Sequence, residues 1–296
     1  MEAMDDLEVI DAERRTLLAL AYRLLGTVAD AEDAVQETYV RWYRMSVEER
    51  AQIRNPAAWL TRVAGRICLD ALGSARARRE RYVGPWLPEP VPHDSLLAAR
   101  PHPDPLERMT LDESVGMALL VVLESLTPAE RVAFVLHDVF GVPFAEIAET
   151  VGRSPDAVRQ LASQGRRRVR ERRAVVASRE QHDAVARAFL AAASTGELDG
   201  LIALLDPDVV LVSDGGGKKS AALRPVAGAD RVARFLRGIA QRHPEAEVSL
   251  VAAPDGLVML ATIDGRADAV FSFVVREDRI TEVFAVRNPD KLSQWP

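Results

Sequence analysis

The prolines between Tyr82 and Pro105, namely Pro85, Pro88, Pro90, Pro92, Pro101, Pro103 and Pro105, constrain this chain more than any other feature. Each fixes φ and lacks a backbone donor, so neither a long helix nor a central strand passes through the stretch. The chain must therefore fold as separate bodies on either side of a linker. Its length of 296 residues agrees, since roughly 100 to 200 residues make one domain.

No apolar run approaches the roughly 18 to 20 residues that cross a bilayer, and Met1 to Glu13 is acidic where a secretory signal is basic. The expectation is a cytoplasmic protein with no membrane partner. Cys68 is the single cysteine, which excludes an internal disulfide and a multi-cysteine zinc site and suits core packing. The net charge of −6 conceals a division along the chain. Met1 to Glu49 holds 12 acids against 5 arginines, a local −7. Leu60 to Arg81 holds 6 arginines against 2 acids, and Arg153 to Arg173 holds 8 against 2, giving islands of +4 and +6. A basic stripe on a helix serves phosphate binding, or is merely a solvated face.

Residues 14 to 80 read as helices. Leu17, Leu20, Ala21, Leu24 and Leu25 make the first apolar stripe, stopped by Gly26; Ala31, Ala34, Val35, Thr38 and Trp42 make the second. Asn55 and Pro56 open a third helix that buries Leu60, Val63, Ala64, Ile67 and Ala71 and presents Arg62, Arg66 and Asp70. Gly73 predicts fraying before Arg76. Trp59 sits beside the stripe and reads as core. In the linker, Trp86-Leu87-Pro88-Glu89-Pro90 is either a docking segment or a rigid spacer.

From 112 to 173 the punctuation is again helical. Thr127-Pro128-Ala129-Glu130 is a capping box; Phe144, Ile147, Ala148 and Val151 mark a short helix; Gly152 turns, Ser154 caps and Pro155 starts a last helix. Short helix, glycine turn and second helix form a helix-turn-helix. Its outward face carries Arg159, Gln160, Ser163, Gln164, Arg166, Arg167 and Arg170, a mixture of base-edge readers and phosphate binders. The bland alternative is a helical hairpin with a solvated arginine face. After Arg173, helical stripes precede β-runs at 209–213, 248–253, 257–263, 267–275 and 280–286, which predicts an α+β domain with a curved antiparallel sheet.

In order, Asp30-Ala31-Glu32-Asp33-Ala34-Val35-Gln36-Glu37-Thr38, Asn55-Pro56-Ala57-Ala58-Trp59-Leu60 and the stretch from Thr127 through Arg170 resemble the motifs of bacterial extracytoplasmic-function sigma factors, over about 160 residues. Trp86 to Pro90, Asp214-Gly215-Gly216-Gly217-Lys218 and Asn288-Pro289-Asp290-Lys291-Leu292 extend the likeness to the SigJ-like subgroup, which carries a SnoaL-like C-terminal domain.

The resemblance implies two all-α sigma modules followed by a cone-shaped α+β SnoaL-like domain. The divisions are an N-terminal module over 8–81, a linker over 82–111, a helix-turn-helix module over 112–173 and a regulatory domain over 179–292. It implies that Asp30, Asp33, Gln36 and Glu37 bind core RNA polymerase through its β and β′ subunits. Arg62, Arg66, Arg76, Arg78 and Arg79 would meet the minus-ten element of promoter DNA, and Arg159, Gln160, Ser163, Arg166 and Arg167 the minus-thirty-five element. Trp86, Pro88, Glu89, Asp214, Gly215, Gly216, Gly217, Lys218, Asn288 and Asp290 would form an intramolecular regulatory contact, the glycine loop docking the Trp86 segment.

On the residues themselves, Asp30, Asp33 and Glu37 form an acidic edge at i, i+3, i+7 that suits a basic surface on polymerase; the alternative account of Asp30 and Asp33 is helix-dipole complementation. Candidate acid–base groups in the C-terminal part are Asp214, Asp230, Asp264, Asp268 and His243, of which Asp214 and Asp264 are explained by turns. Gly215 to Lys218 lacks the context of a Walker loop. No catalytic residue, metal or cofactor is expected. Two alternatives stand: a helix-turn-helix regulator acting without core polymerase, and a fusion whose C-terminal domain is a small-molecule enzyme.

Overall fold

The computed structural model describes the backbone of residues 2–79, 82–98, 116–173 and 177–296, and the side chains of 13–74, 82–97, 116–171 and 177–296. These residues divide into two compact units. The first holds 2–78, 95–98 and 122–172; the second holds 82–94, 116–121 and 177–296.

In the first unit, α1 (Glu2–Leu25) and α2 (Val28–Arg44) form an antiparallel hairpin. Gly26 ends α1 at φ +80° with its N–H on Tyr22 O at 2.8 Å, and the Thr27 side chain caps α2 by accepting from the Asp30 N–H. The hairpin buries Leu17, Leu20 and Leu24 against Ala31, Val35 and Trp42. A short α3 (Val47–Ala51) precedes α4 (Pro56–Arg79). The Asn55 side chain accepts from the Ala58 N–H at 3.1 Å, as the Asn-Pro start requires. Trp59 is half-buried and packs edge-on to Trp42, ring centroids 5.2 Å apart. The fully buried stripe of α4 is Leu60, Ala64, Cys68 and Leu72. Contrary to the expected fraying at Gly73, α4 runs on to Arg79. The roughly 1 kcal/mol that a helical glycine costs is offset by the anchored turns before it and by Ala and Arg, good helix formers, after it.

α5 (Met117–Glu124) leads to α6 (Pro128–Phe134), α7 (Phe144–Val151) and α8 (Pro155–Arg173). The Thr127 and Glu130 capping box is formed, and α6 continues as a π-turn over Val135–Val139. Arg131, 3% exposed, donates to Leu24 O at 2.8 Å and to Glu124 at 2.6 Å, tying α6 to the end of α1. Gly152 takes φ +69° between α7 and α8. A Cβ on Gly165 would stand 2.9 Å from Phe134 Cβ, so the glycine allows α8 to cross α6 closely.

The second unit contains α9 (Arg179–Thr195), α10 (Leu198–Leu204), α11 (Ala229–Arg242) and strands β1 (Leu205–Asp214), β2 (Val226–Ala227), β3 (Glu247–Ala253), β4 (Gly256–Ile263), β5 (Arg266–Arg276) and β6 (Arg279–Val286). The sheet order is β2-β1-β6-β5-β4-β3. Strands β3 to β6 form the expected antiparallel meander, but β1 pairs parallel with β6, Leu211 opposite Val283, so the sheet is mixed. The long return through α11 and the meander is the kind of connection parallel pairing needs. One sheet face buries Phe189, Leu201, Val232, Phe271 and Phe273 beneath the helices. The other buries Val258, Val270, Phe284 and Val286 beneath Leu87, Met117, Leu292 and Trp295.

Candidate nucleic-acid interface and linker site

α8 presents its polar face as its periodicity dictates: Val158, Ala162, Gly165 and Val169 are buried, and Arg159, Gln160, Ser163, Gln164, Arg167 and Arg170 are exposed. Arg159 lies over the Phe144 ring at 5.3 Å and pairs with Asp156 at 2.5 Å, so the guanidinium is held at the start of the helix. Arg167 is 70% exposed. Arg166 is turned back, its Nε 2.5 Å from Asp138, and Arg168 reaches Ser125 O and Glu130.

The α4 arginines divide. Arg62 pairs with Glu149 at 3.0 Å, and Arg66 donates to Thr150 O at 2.9 Å and lies 3.5 Å from Asp70. Between them Gly65 brings α4 against α7 and the π-turn: a Cβ there would meet Leu136 at 3.1 Å and Thr150 at 3.6 Å. Arg62 and Arg66 therefore face the helix-turn-helix in this conformation. The side chains of Arg76, Arg78 and Arg79 lie outside the described residues. On α2, Asp33 and Gln36 are exposed; Asp30 accepts from the Thr27 hydroxyl at 2.7 Å and Glu37 pairs with Arg41 at 3.0 Å. Val40, Tyr43 and Val47, 39%, 49% and 56% exposed, continue the surface, an apolar extension that a search for charge passes over.

In the second unit Asp214, at the end of β1, is wholly buried and accepts four bonds: from the Tyr82 hydroxyl at 2.7 Å, the Gly216 N–H at 3.0 Å, the Leu87 N–H at 2.9 Å and Lys291 Nζ at 2.8 Å. Lys291 also donates to Leu87 O at 2.5 Å and lies 4.1 Å from the Trp86 ring and 5.0 Å from the Tyr82 ring. Asn288 caps the turn that carries Lys291 and donates to the Tyr82 hydroxyl at 2.8 Å. Trp295 Nε1 donates to Pro90 O at 2.9 Å. Burial first, then the bond to Asp214, raises the Tyr82 phenol above its ordinary pKa. The glycines are explained by packing. Gly216 and Gly217 take φ +60° and +71°, and side chains there would collide with Asn288 and crowd Val83; one on Gly215 would collide with Lys219 O. Lys218 pairs with Asp290 on the rim at 2.6 Å. Pro88 and Glu89 are buried, Trp86 half-buried. Tyr82 belongs to this site without a sequence motif of its own, and Lys291, which stands in the Asn288 to Leu292 motif, belongs to it without having been assigned a role there.

The remaining acid–base candidates are spoken for. Asp230 pairs with Arg234 on the surface, and Asp264 sits at φ +51° in a hairpin turn. Asp268 accepts from Lys219 and Arg287, each at 2.7 Å; burial opposes its ionisation, but these bonds outweigh it and hold the carboxyl below its ordinary pKa. Arg287 also lies 3.3 Å from His243 Nε2. A carboxylate held ionised this way is poorly suited to donate a proton. Among the described residues no cluster of histidine, cysteine and carboxylate side chains is arranged to hold a metal ion, and no helix is long and apolar enough to cross a membrane.

A helix-turn-helix with an arginine and glutamine face, a second Arg-bearing helical module and a cone-like α+β domain define a multidomain transcription protein. Residues 9–78 match Sigma-70 region 2, residues 116–169 match Sigma-70 region 4, and residues 186–288 match the SnoaL-like domain. The ECF RNA polymerase sigma factor SigJ of Mycobacterium tuberculosis is 41% identical over 298 residues, spanning 97% of this chain and 93% of the relative. The probable ECF RNA polymerase sigma factor SigI of the same organism is 39% identical over 288 residues, spanning 95% and 92%. The crystal structure of M. tuberculosis SigJ superposes with a TM-score of 0.72 at 38% identity, covering 98% of this chain and 99% of that one. The chain belongs to the extracytoplasmic-function sigma factors, in the SigJ-like group with a C-terminal SnoaL-like domain. It is thus an alternative sigma factor, which binds core RNA polymerase and directs transcription from particular promoters.

Proposed function

We propose that the module over 8–81 engages the β and β′ subunits of core polymerase through Asp33, Gln36 and Glu37, extended by Val40 and Tyr43. Asp30 acts chiefly as part of the α2 cap. In the same module α4 meets the minus-ten element: Arg76, Arg78 and Arg79 supply further contacts to it, and Arg62 and Arg66 exchange Glu149 and Thr150 for phosphates when DNA binds. The module over 112–173 reads the minus-thirty-five element with Arg159, Gln160 and Ser163 on base edges and Arg167 on phosphate. Arg166 serves to position α8 through Asp138.

The domain over 179–292 sets the activity of the whole by gripping the 82–111 linker at its start. The observation that carries this reading is the convergence of Tyr82, Trp86 and Leu87 on Asp214 and Lys291. The domain performs no catalysis and takes no cofactor; the pairing of Asp268 and the surface position of Asp230 favour this over an acid–base enzyme. Its place of action is the cytoplasm, where polymerase works.

Runoff transcription on a promoter library, with and without core polymerase, tests the reading. Wild-type chain should give promoter-specific transcripts only with core, and Trp86→Ala and Asp214→Ala should each change their yield. Unchanged yield for both variants would remove the regulatory role. Tight duplex binding without core, and no transcripts with it, would favour a simple regulator.

A further inference from the structure

The structure assigns a second grip on the chain to the C-terminal domain, at the opposite end of the stretch between the two sigma modules: we infer that Asp255, in the β3–β4 turn, is the N-terminal cap of α5. The match to Sigma-70 region 4 begins at residue 116, so this cap belongs to the helix-turn-helix module but is supplied from roughly 140 residues further on.

Four observations converge. The start of α5 groups with the C-terminal unit, and Met117 is buried in the same apolar cluster as Val258 and Trp295, with Ala118 and Val121 packed against it. The Met117 N–H donates to the Asp255 carboxylate, satisfying one of the donors that a first helical turn leaves unpaired. A side chain on Gly116 would collide with that carboxylate, and one on Gly256, at φ +133°, would meet His182. The turn itself is fixed from α9: Arg179 donates to Pro254 O at 3.1 Å and Ala253 O at 3.3 Å, and Asp183 accepts the Leu257 N–H at 2.8 Å. Gly116 thus makes room for the carboxylate at the helix start, Gly256 makes room for His182 against the turn, and Arg179 and Asp183 hold the turn that delivers the carboxylate.

α5 needs such an arrangement. Its sequence, Met-Ala-Leu-Leu-Val-Val-Leu-Glu, is apolar on every side, and its first turn offers no side-chain cap of its own. With Tyr82 to Pro90 held by Asp214 and Lys291, and Gly116 to Val121 held by Asp255, one folded body fixes both ends of the interval between the sigma modules. This inference extends the regulatory role proposed above for the C-terminal domain.

Hydrogen exchange on the full chain without polymerase tests it independently of that role. Asp255→Ala should speed exchange over 117–124 about tenfold, the order expected for loss of a cap, with β5 unchanged. Asp255→Asn, which keeps an acceptor, should stay within about twofold of wild type. Gly116→Ala discriminates further: helix propensity alone would slow exchange, whereas displacement of the Asp255 carboxylate should speed it. Unchanged exchange in Asp255→Ala, equal loosening in the Asn and Ala variants, parallel loosening of β5, or slower exchange in Gly116→Ala would each overturn the cap. If the cap holds but Asp255→Ala leaves runoff transcription as it was, the joint stands and the regulatory role of the domain fails at this site.

Discussion

Lys291 Nζ lies 2.8 Å from Asp214 Oδ2 with side-chain exposures of 6% and 0%, an ion pair removed from solvent and closed over by Trp86 and Tyr82. A buried pair is costly to break from one side, because the remaining charge stays desolvated, at about 3–5 kcal/mol. Asp214→Asn and Lys291→Met should each destabilise the C-terminal unit by about that amount, and the double variant by less than their sum. Tyr82→Phe, which removes one donor to a carboxylate, should cost about 1.5–3 kcal/mol. Denaturant unfolding followed by exchange in β5 reads all four.

That pair marks the limit of what sequence conveys. The helix punctuation was legible because it is local: Thr27, Asn55, Thr127 and Ser154 accept from backbone donors three residues ahead, and Gly26 and Gly152 need positive φ. The Trp86, Asp214 and Asn288 segments stood out one by one. What joins them is a lysine and a tyrosine 209 positions apart, and no periodicity ranks Lys291 above the other charges around it. The parallel pairing of β1 with β6 was hidden for a similar reason. Alternating apolar residues say that a strand has two faces but not which neighbour lies beside it. Arg62 and Arg66 were read as free for phosphate because their partners, Glu149 and Thr150, are some 85 residues away.

The Arg62 and Glu149 pair, 34% and 72% exposed, is of the surface kind worth about 0–1 kcal/mol. The close approach of α4 at Gly65 is a matter of packing. Glu149→Gln should therefore shift the stability of the first unit by less than about 1 kcal/mol, while Gly65→Leu, driven into Leu136, should cost about 1–3 kcal/mol. Urea titration with exchange over Leu17 to Leu25 as the probe separates the two outcomes.

On α8 the two arginines differ in how they are held. Arg159 is braced by Asp156 at 2.5 Å and by Phe144, which suits a fixed contact to a base edge; Arg167, 70% exposed, has a 3.7 Å ion pair with Glu171 to exchange for a phosphate. With holoenzyme on a promoter library, Arg159→Ala should cost about 1–3 kcal/mol and relax preference at particular minus-thirty-five positions. Arg167→Ala should weaken binding evenly across sequences and lower the salt slope by about 1. Matching base profiles and salt slopes for the two variants would contradict the division.

Asp255 gives the C-terminal unit a dependence on pH. Desolvation by burial raises its carboxyl above the ordinary value near 3.9, against the opposing influence of His182, the Met117 N–H and Arg179. A carboxyl whose folded pKa exceeds its unfolded one binds protons more tightly when folded. Its contribution to stability is greatest below the unfolded value and declines as pH rises through the folded one. Asp183 lies 3.3 Å from His182 Nδ1 beside the same turn, and the difference between wild type and Asp255→Asn isolates the Asp255 carboxyl. Wild type should lose stability relative to Asp255→Asn as pH rises from about 4 through the raised pKa, with the two curves parallel above it. Thermal unfolding of both chains across that range measures the difference, and curves that stay parallel throughout would mean that the Asp255 carboxyl is not desolvated at the start of α5.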